Sequence, residues 1–361
     1  MFGSLESEES NAVHLKLAAD WILESQKVNK DGGSASHFDI YGWRASFPET
    51  TGYIIPSLID YSRYANAPLY FEKAKIMGEF LLKVQLENGA FQGGSMEAKE
   101  IVPTVFNTGQ VIFGLVRLYK ETNDNRFLES AKKAGNWLCE MQETDGSWIK
   151  GLSPNADPIP HTYNVRAAWA LLKLNEIVPD VKYVNCNAKN VEWSISQQNK
   201  YGWFKLNSFW EDKDPFTHTI AYTMRGILES GIAQKNEVWI QAIKYSADQL
   251  KGHIKENGSF ANRLGPNWES KDKSTCLTGN SQLAIIYGKL YELFGNVEYL
   301  SLLKKINSFQ KRTQYNTGNS KIKGGIKGSY PIYGDYCPYS YPNWAAKFFI
   351  DALLLEEKLI S

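Results

Sequence analysis

Residues 131–148 read AKKAGNWLCEMQETDGSW, an amphipathic helix that runs into Gln142-x-x-x-Gly146-x-Trp148. The same ending recurs along the chain, with a Gly four residues and an aromatic residue six residues after the first position. The successive full copies and one weaker copy are 57, 56 and 56 residues apart, and further steps of about this length reach both ends of the sequence. The six copies begin at Gln26, Gln85, Gln142, Gln198, Ile254 and Gln310. A fixed period of this length is the signature of a repeat architecture.

Each part of this repeated ending has a physical role in the predicted fold. A helix with a single apolar stripe cannot bury that stripe alone, so neighbouring repeats are expected to pack together. A Gly in the left-handed conformation is expected to end each helix, and the aromatic side chain to cover the helix end. The Gln is expected to satisfy backbone groups at the turn. The motif therefore predicts structure, and it says little about a reaction.

A helix followed by Q-x-x-x-G-x-W/F resembles the QW repeat of the terpenoid cyclase and prenyltransferase superfamily. The resemblance covers most of the chain and implies an all-α fold, an (α/α)6 toroid of about six helical hairpins. Many carbohydrate-active enzymes, among them polysaccharide lyases, uronyl epimerases and glycoside hydrolases, are similar in having the same barrel. The resemblance is therefore more specific for the fold than for the chemistry.

Composition supports one folded unit without an obvious macromolecular partner. The chain has 361 residues, is 43% hydrophobic, and carries a formal net charge of +1, which gives no electrostatic footprint for nucleic acid. We expect a flexible tail at residues 1–12 and a single toroid domain at residues 13–361. The sequence shows neither the features of a signal peptide nor an apolar run long enough to span a membrane, and these features predict a cytoplasmic protein. The oligomeric state is not indicated by the sequence.

Metal and redox chemistry have no support in the sequence. The four cysteines show no C-x-x-C spacing, and reduced buried thiols are expected. Motifs of metalloproteases, P-loops and dinucleotide sites are missing, as are the ligand patterns of protein prenyltransferases and lanthionine cyclases. No metal and no cofactor are therefore expected.

Loop lengths indicate where a functional site lies. Long loops rich in Gly, Pro, Asn and Tyr are predicted between each outer helix and the following inner helix, whereas inner-to-outer connections such as residues 122–125 are short. All long loops therefore gather at one end of the barrel. A row of threonines is predicted to cap the inner helices at this end. The capping positions are Thr51, Thr108, Thr162, Thr219 and Thr278.

Two of the five histidines, His161 and His218, occupy the same place in successive repeats. A histidine near a helix amino terminus tends to be neutral, as a general base must be. The resemblance to toroidal lyases and epimerases implies that His161 or His218 is the base and that Tyr163 or Tyr222 is the acid. The alternative for each histidine is a hydrogen-bonded structural role.

Polar and aromatic residues at the same end are candidates for substrate binding, because amides and Arg hold hydroxyl and carboxylate groups while aromatic rings stack on sugars. By the same resemblance, Asn107, Asn164 or Arg166 would bind a carboxylate. The other candidates are Trp43, Arg44, Gln110, Arg225, Asn280, Tyr341, Asn343 and Trp344.

Carboxylates give two further possibilities. A glycoside hydrolase needs a pair, for which Glu49 with Asp214 or Asp335 is a candidate. Asp212-Lys213-Asp214-Pro215 is similar to the D-x-D-D acid of terpene cyclases, but Pro215 replaces the final Asp.

The leading expectation is a carbohydrate-active enzyme that acts on an acidic or modified saccharide, by lyase or epimerase chemistry or by glycoside hydrolysis. A terpenoid cyclase-like or prenyltransferase-like enzyme is the first alternative, and it requires an apolar, aromatic cavity. A non-catalytic saccharide-binding toroid is the second.

Overall fold

The computed structural model describes residues 8–361, and this part of the chain contains twelve α-helices that alternate between an outer and an inner layer. The outer helices are α1 Asn11–Lys27, α3 Pro68–Val84, α5 Asn125–Met141, α7 Val181–Ser196, α9 Glu237–Leu250 and α11 Val297–Thr313. The inner helices are α2 Pro48–Tyr64, α4 Val105–Thr122, α6 Val165–Asn175, α8 Thr217–Gln234, α10 Leu277–Phe294 and α12 Asn343–Ile360. Of the tail predicted at residues 1–12, residues 1–7 lie outside the described part, and α1 already begins at Asn11.

The six inner helices form a closed ring, because each contacts the next and α12 contacts α2. Each outer helix packs mainly on the inner helix that precedes it, and α1 packs on α12. This arrangement is the predicted (α/α)6 toroid. The apolar stripes of both layers meet in one hydrophobic core that runs around the ring.

All long loops lie at the amino-terminal ends of the inner helices, as predicted, and short strands tie some of them together. Three of these strands form a small antiparallel sheet in the order β2-β1-β5, and the other two form a pair. The strands are β1 His37–Asp39, β2 Gly42–Trp43, β3 Thr275–Cys276, β4 Ser329–Tyr330 and β5 Tyr341–Pro342. In the three-stranded sheet Phe38 faces Trp43 on one side and Tyr341 on the other.

The repeated Gln, in every copy but the one at Ile254, links an outer helix to the next. Gln142 Nε2 donates to the Gly146 carbonyl oxygen at 3.1 Å and to the Cys186 carbonyl oxygen of α7 at 2.8 Å. Gln85 makes the same pair of bonds, to Gly89 and to Ser130 of α5. The expectation that the Gln satisfies backbone groups at the turn is confirmed.

The role predicted for the repeated Gly is wrong in one respect. The helix ends before the Gln, and Gly146 lies four residues later in the turn, at a φ of +92°. A Cβ at Gly146 would lie 2.4 Å from the Lys189 carbonyl oxygen of α7. The Gly is therefore needed for close approach to the next outer helix, in a conformation that other residues rarely adopt. Trp148 is 1% exposed and covers the helix as expected.

The sixth copy of the motif begins at Gln314, not at the predicted Gln310. Gln314 Nε2 donates to the Gly324 carbonyl oxygen at 2.9 Å and to the His14 carbonyl oxygen of α1 at 3.3 Å. Gln310 instead donates to the carbonyl oxygen of Leu277 at the start of α10. The fixed period fails here because α11 continues to Thr313, so the motif falls one helical turn later.

The role predicted for the row of threonines is also wrong. Thr51 and Thr108 are not N-caps, because they lie inside their helices, where they accept hydrogen bonds from the Ser34 and Phe91 backbone N–H groups. They anchor the incoming loop rather than the helix end.

Candidate active site

A pocket of about 250 Å³ opens at the amino-terminal ends of the inner helices, and we call it the front pocket. Five repeats contribute to it, through the first turns of α2, α4, α8 and α12, the short 3₁₀ helix before α6, and the loops around them. Its lining residues are Phe47, Glu49, Tyr53, Phe106, Asn107, Ser153, Asn155, Tyr163, Phe209, Trp210, His218, Tyr222, Tyr336, Cys337 and Trp344. Most of them are aromatic.

Glu49 is the one carboxyl group in this lining. It lies in the first turn of α2, after Pro48, and makes no hydrogen bond or ion pair with any residue from 8 to 361. The side chain is partly open to the pocket, but the surrounding protein keeps bulk water away. This removal from solvent raises the pKa of Glu49 to about 8, against the opposing effect of the Arg166 charge. Glu49 is therefore mostly protonated at neutral pH.

His218 lies in the first turn of α8 and is held between two tyrosine rings, with ring centres 4.3 Å from Tyr222 and 5.1 Å from Tyr336. Burial, followed by the Arg166 charge, lowers the pKa of His218 to about 3. The Gln282 amide lies 3.3 Å from Nδ1, and as it is oriented its Nε2–H donates to the ring. Nδ1 then accepts, and Nε2 carries the ring proton and can donate to a ligand.

Tyr163 and Tyr222 form one wall of the pocket together with Phe106. The ring centre of Phe106 lies 5.5 Å from that of Tyr163 and 4.9 Å from that of Tyr222. Burial raises the pKa of both tyrosines, so both hydroxyl groups stay protonated. The Tyr222 hydroxyl has no partner of hydrogen-bond geometry within the described chain, and Tyr53 is one of its polar neighbours.

Trp344, at the start of α12, also lines the pocket. Its Nε1 donates to the Tyr336 hydroxyl at 2.8 Å, and Phe47 packs edge-on against it at 6.3 Å. Asn107 lies on α4 and donates to the Gln92 carbonyl oxygen at 3.1 Å, which leaves its own oxygen to accept from a ligand. Flat rings beside a few amide and hydroxyl groups are the surfaces to which sugars bind.

Six of the residues selected from the sequence thus line one pocket. These six are Glu49, Asn107, Tyr163, His218, Tyr222 and Trp344.

His161 lies behind the pocket wall. Its ring stacks on Tyr163 with the ring centres 4.8 Å apart, and its Nε2 lies 3.0 Å from the Asp157 carbonyl oxygen. It is 1% exposed and does not line the front pocket, and burial lowers its pKa. This position suits a residue that supports the Tyr163 ring better than it suits a general base.

Asp214 does not share the pocket with Glu49. It lies in a separate surface cavity of about 310 Å³ beside Asp212 and Lys213, and its backbone carbonyl accepts a hydrogen bond from Arg263. Asp335 is also outside the pocket and forms an ion pair with Arg263. A second carboxylate is therefore absent from the described lining of the front pocket.

Two predicted binding residues, Asn343 and Asn280, make hydrogen bonds to the long loops. Asn343 Nδ2 lies 2.9 Å from each of three oxygen acceptors, in Ser34, Ala35 and Thr50. The Phe260 backbone N–H donates a hydrogen bond to Asn280 Oδ1 at 3.1 Å.

The remaining predicted binding residues also lie outside the front pocket. Trp43 and Tyr341 lie in the small sheet, and Arg44 is bound to Asp39. Asn164 is buried in the 3₁₀ helix. Arg225 lines a different cavity.

Gln110 and Arg166 are paired below the front pocket, where Arg166 Nε donates to Gln110 Oε1 at 2.7 Å. Sequence reasoning missed the pocket residues Phe106, Trp210 and Tyr336. Phe106 adjoins Asn107 at a helix start, a position that could have revealed it, whereas Trp210 and Tyr336 lie in long loops without periodicity.

Solved structures of several carbohydrate-active enzymes share the architecture of this chain over nearly its whole length. An unsaturated glucuronyl hydrolase specific for heparin has a TM-score of 0.77 and 12% sequence identity over 97% of each chain. The fold is the (α/α)6 toroid. An unsaturated glucuronyl hydrolase from Bacillus sp. GL1 has a TM-score of 0.75 and 14% identity over 96% of each chain. Cellobiose 2-epimerase from Bacillus thermoamylovorans has a TM-score of 0.74 and 13% identity over 95% of this chain and 96% of its own.

Sequence comparison adds no closer relative. No protein-family model matches this chain, and no curated protein matches it. Within residues 8–361 no helix is long and apolar enough to cross a membrane, and no three His, Cys, Asp or Glu side chains are grouped as metal ligands.

Proposed function

We propose that this protein is a carbohydrate-active enzyme in which Glu49 transfers a proton to a saccharide bound in the front pocket. The observation that carries the proposal is a single carboxyl group, whose pKa burial raises to about 8, in a pocket walled by aromatic rings. A general acid works best when its pKa lies near the operating pH, and Glu49 meets this condition.

The presence of one carboxyl group favours a particular reaction. Ordinary glycosidases use two carboxyl groups. An unsaturated uronyl sugar, the substrate class named for two of the similar structures, contains an enol ether that one group can hydrate. Glu49 would protonate C4, water would add at C5, and the proton lost by water would return to the Glu49 carboxylate. The resulting C5 hemiketal opens to a ketone and leaves a hemiacetal at C1, which breaks down to an aldehyde and releases the attached sugar as an alcohol.

The surrounding groups suit this reaction. Trp344 and Tyr163 offer ring faces for stacking, while Asn107 and the Nε2–H of His218 offer hydrogen bonds. Arg166 acts on both Glu49 and His218 through its charge, so an anionic uronate meets a favourable potential even though no Lys or Arg belongs to the described lining.

Lyase or epimerase chemistry with a histidine base has less support. A general base with a pKa of about 3 is a poor proton acceptor at neutral pH, and Nδ1 of His218 is already occupied by Gln282. His161 is separated from the pocket by Tyr163.

The test is hydrolysis of unsaturated disaccharides, prepared by lyase digestion of a glycosaminoglycan and followed by the ultraviolet absorbance of the C4–C5 double bond. The wild type should remove the absorbance, and Glu49→Gln should be slower by about 10²–10⁴-fold. Glu87→Gln, which removes an exposed carboxyl from a repeat turn at the same end of the barrel, is the control.

Other outcomes would assign the pocket differently. If the protein cleaved saturated but not unsaturated oligosaccharides, the reaction of the pocket would be assigned as glycoside hydrolysis and not as hydration. Saccharide binding without turnover would indicate the non-catalytic alternative.

The terpenoid alternative is favoured by one observation, the predominance of aromatic side chains in the lining. Its proposed acid, Asp214, is outside the pocket. The test is turnover of a prenyl diphosphate. If this activity were retained in Asp214→Asn and lost in Glu49→Gln, Glu49 would be the acid for an apolar substrate.

A further inference from the structure

A second cavity, of about 650 Å³, lies at the opposite end of the barrel, and we call it the rear cavity. It opens among the carboxyl-terminal ends of the inner helices, near the exposed residues Tyr64 and Lys358, and reaches inward to Arg166 and Arg225. Tyr53 lines both cavities, so the two are separated by a thin layer of side chains. The reaction proposed for Glu49 makes no use of the rear cavity.

Arg166 lies at the inner end of this cavity and is only 2% exposed. Its Nε donates to Gln110, but neither of its two NH₂ groups makes a hydrogen bond with any residue from 8 to 361, and Nη1 is fully buried. Four rings lie 5.2–5.4 Å from its guanidinium carbon, those of Phe113, Trp169, Tyr222 and Phe348. Rings stabilise the cation through its face, but they leave the N–H groups at its edge without acceptors.

Arg225 and Trp169 repeat this pattern beside Arg166. Arg225 Nε lies 3.3 Å from Glu229, while its buried Nη1 has no partner in the described chain. The Trp169 indole N–H is also buried without a partner there, and both residues line the rear cavity. Buried donors almost always have acceptors, so three neighbouring side chains with unmet donors need an explanation.

The charges around the cavity do not supply the missing acceptor. Lys347 is paired with Asp351, which also accepts from Ser57. Arg225 has Glu229, but Arg166 has no carboxylate partner.

The charged groups nearer the mouth have partners of their own. Asp60 is paired with Arg117, Lys289 and Lys358 share Glu292, and Glu357 accepts from Tyr64 and Asn11.

Burial and mutual repulsion lower the pKa values of the cations in this cavity. Burial, followed by the Arg225 charge, lowers the pKa of Arg166 to about 10, and burial lowers that of Lys347 to about 8 even though Asp351 opposes the change. Arg166 remains charged at neutral pH.

We propose that the rear cavity binds a tetrahedral oxyanion, phosphate or sulfate, through the free N–H groups of Arg166, Arg225 and Trp169. Arg matches the oxygens of such an anion with two parallel hydrogen bonds, and the indole N–H adds a neutral donor. The cavity is larger than a free anion needs, so the group can also be carried by a small sugar. This proposal is independent of the reaction assigned to Glu49.

Titration calorimetry of the whole protein tests the proposal, with inorganic phosphate, inorganic sulfate, glucose 6-phosphate and glucuronate as separate probes. Phosphate or sulfate should bind the wild type, and Arg225→Gln should weaken binding at least about tenfold. Tighter binding of glucose 6-phosphate than of inorganic phosphate would show that the group arrives on a sugar. Binding of glucuronate alone would overturn the tetrahedral assignment.

The control is Arg63→Gln, which removes one positive charge from the same end of the barrel. Arg63 is bound to Glu121 and does not line the rear cavity. Arg63→Gln should bind phosphate as the wild type does. If Arg63→Gln and Arg225→Gln lost affinity equally, the effect would come from net charge alone and the proposed site would be wrong.

A crystal of the wild type soaked in selenate avoids the question of whether a variant folds. An anomalous peak within hydrogen-bond distance of Arg166 and Arg225 would support the site. A rear cavity without such a peak at a concentration that saturates calorimetric binding would overturn it.

Discussion

The guanidinium carbon of Arg166 lies 5.2 Å from the ring centre of Tyr222, although one side chain lines the rear cavity and the other the front pocket. One buried cation therefore forms part of the boundary between two separate cavities. Its charge opposes the rise in the pKa of Glu49 and adds to the fall in that of His218. The electrostatics of the front pocket thus depend on a residue that no front-pocket ligand touches.

Replacing Arg166 should change the pH dependence of the reaction. Arg166→Gln removes the charge that favours the Glu49 carboxylate, so the pKa of Glu49 should rise above about 8. The alkaline limb of the pH–rate profile should then move to higher pH. Arg225→Gln is the matched control, because it removes a charge from the same cavity without a direct effect on Glu49. An unchanged limb in Arg166→Gln would contradict the coupling.

Stability should also depend on Glu49 as pH rises. In the folded protein its pKa is about 8, whereas the ordinary value is 4.5, so between these values the folded state binds a proton that the unfolded state lacks. The free energy of unfolding contributed by this group therefore falls as pH increases from about 4.5 to 8. Glu49→Gln should gain stability relative to the wild type across this window in urea unfolding experiments.

The contribution of His218 to the free energy of unfolding rises with pH, over a lower range, because its folded pKa of about 3 lies below the ordinary 6.5. Because His218 is present in both proteins, its contribution cancels when the stability of Glu49→Gln is compared with that of the wild type. A difference between the two that stays flat from pH 5 to 8 would show that Glu49 has an ordinary pKa.

The repeat Gln should matter for stability at sites far from either cavity. Gln142→Ala removes the hydrogen bonds from the Gln142 side chain to the Gly146 and Cys186 carbonyl oxygens, of which Gly146 still accepts from Asn190 Nδ2. We expect a loss of about 1–3 kcal/mol in the free energy of unfolding, measured with urea. Gln241→Ala, on the exposed face of α9, should change it by no more than about 0.5 kcal/mol. Similar losses in both would contradict the role assigned to the motif.

Asn343 and Trp344 are adjacent in sequence and should give opposite results. Asn343→Ala removes a donor shared by two loop acceptors and Thr50 of α2, and it should cost about 1–3 kcal/mol of stability, with KM unchanged. Trp344→Ala removes a ring of the front pocket and should raise KM for a saccharide. Urea unfolding and steady-state kinetics on both variants separate the roles, and a raised KM in Asn343→Ala would restore it as a binding residue.

The fold could be predicted because its signal is repeated. Each copy of Gln, Gly and aromatic residue solves the same packing problem, as Gln85 and Gln142 show with their matching bonds. Gln310 was misassigned because the period locates a repeat only to within a helical turn.

The site was harder to predict, because sequence gives the height of a residue along an inner helix but not the direction of its side chain. Asn107 and Gln110 are less than one turn apart on α4, yet Asn107 lines the front pocket and Gln110 binds Arg166. Trp210 and Tyr336 come from loops whose path depends on the assembled barrel. The pKa of Glu49 depends on burial that no local pattern encodes.

Ring closure has a consequence for how the chain can be rearranged. The Gln314 contact with α1 is the same interaction that joins every other neighbouring pair of outer helices except one, and Asn11 Nδ2 donates to Glu357 near the end of α12 at 2.8 Å. Unlike an open solenoid, the toroid has no end repeat and needs no capping unit. The packing therefore fixes the order of the six hairpins around the ring, but it does not fix which hairpin carries the chain termini. A circularly permuted chain, joined between Ile360 and Asn11 and cut in the short turn before Asn125, would keep every helix–helix interface.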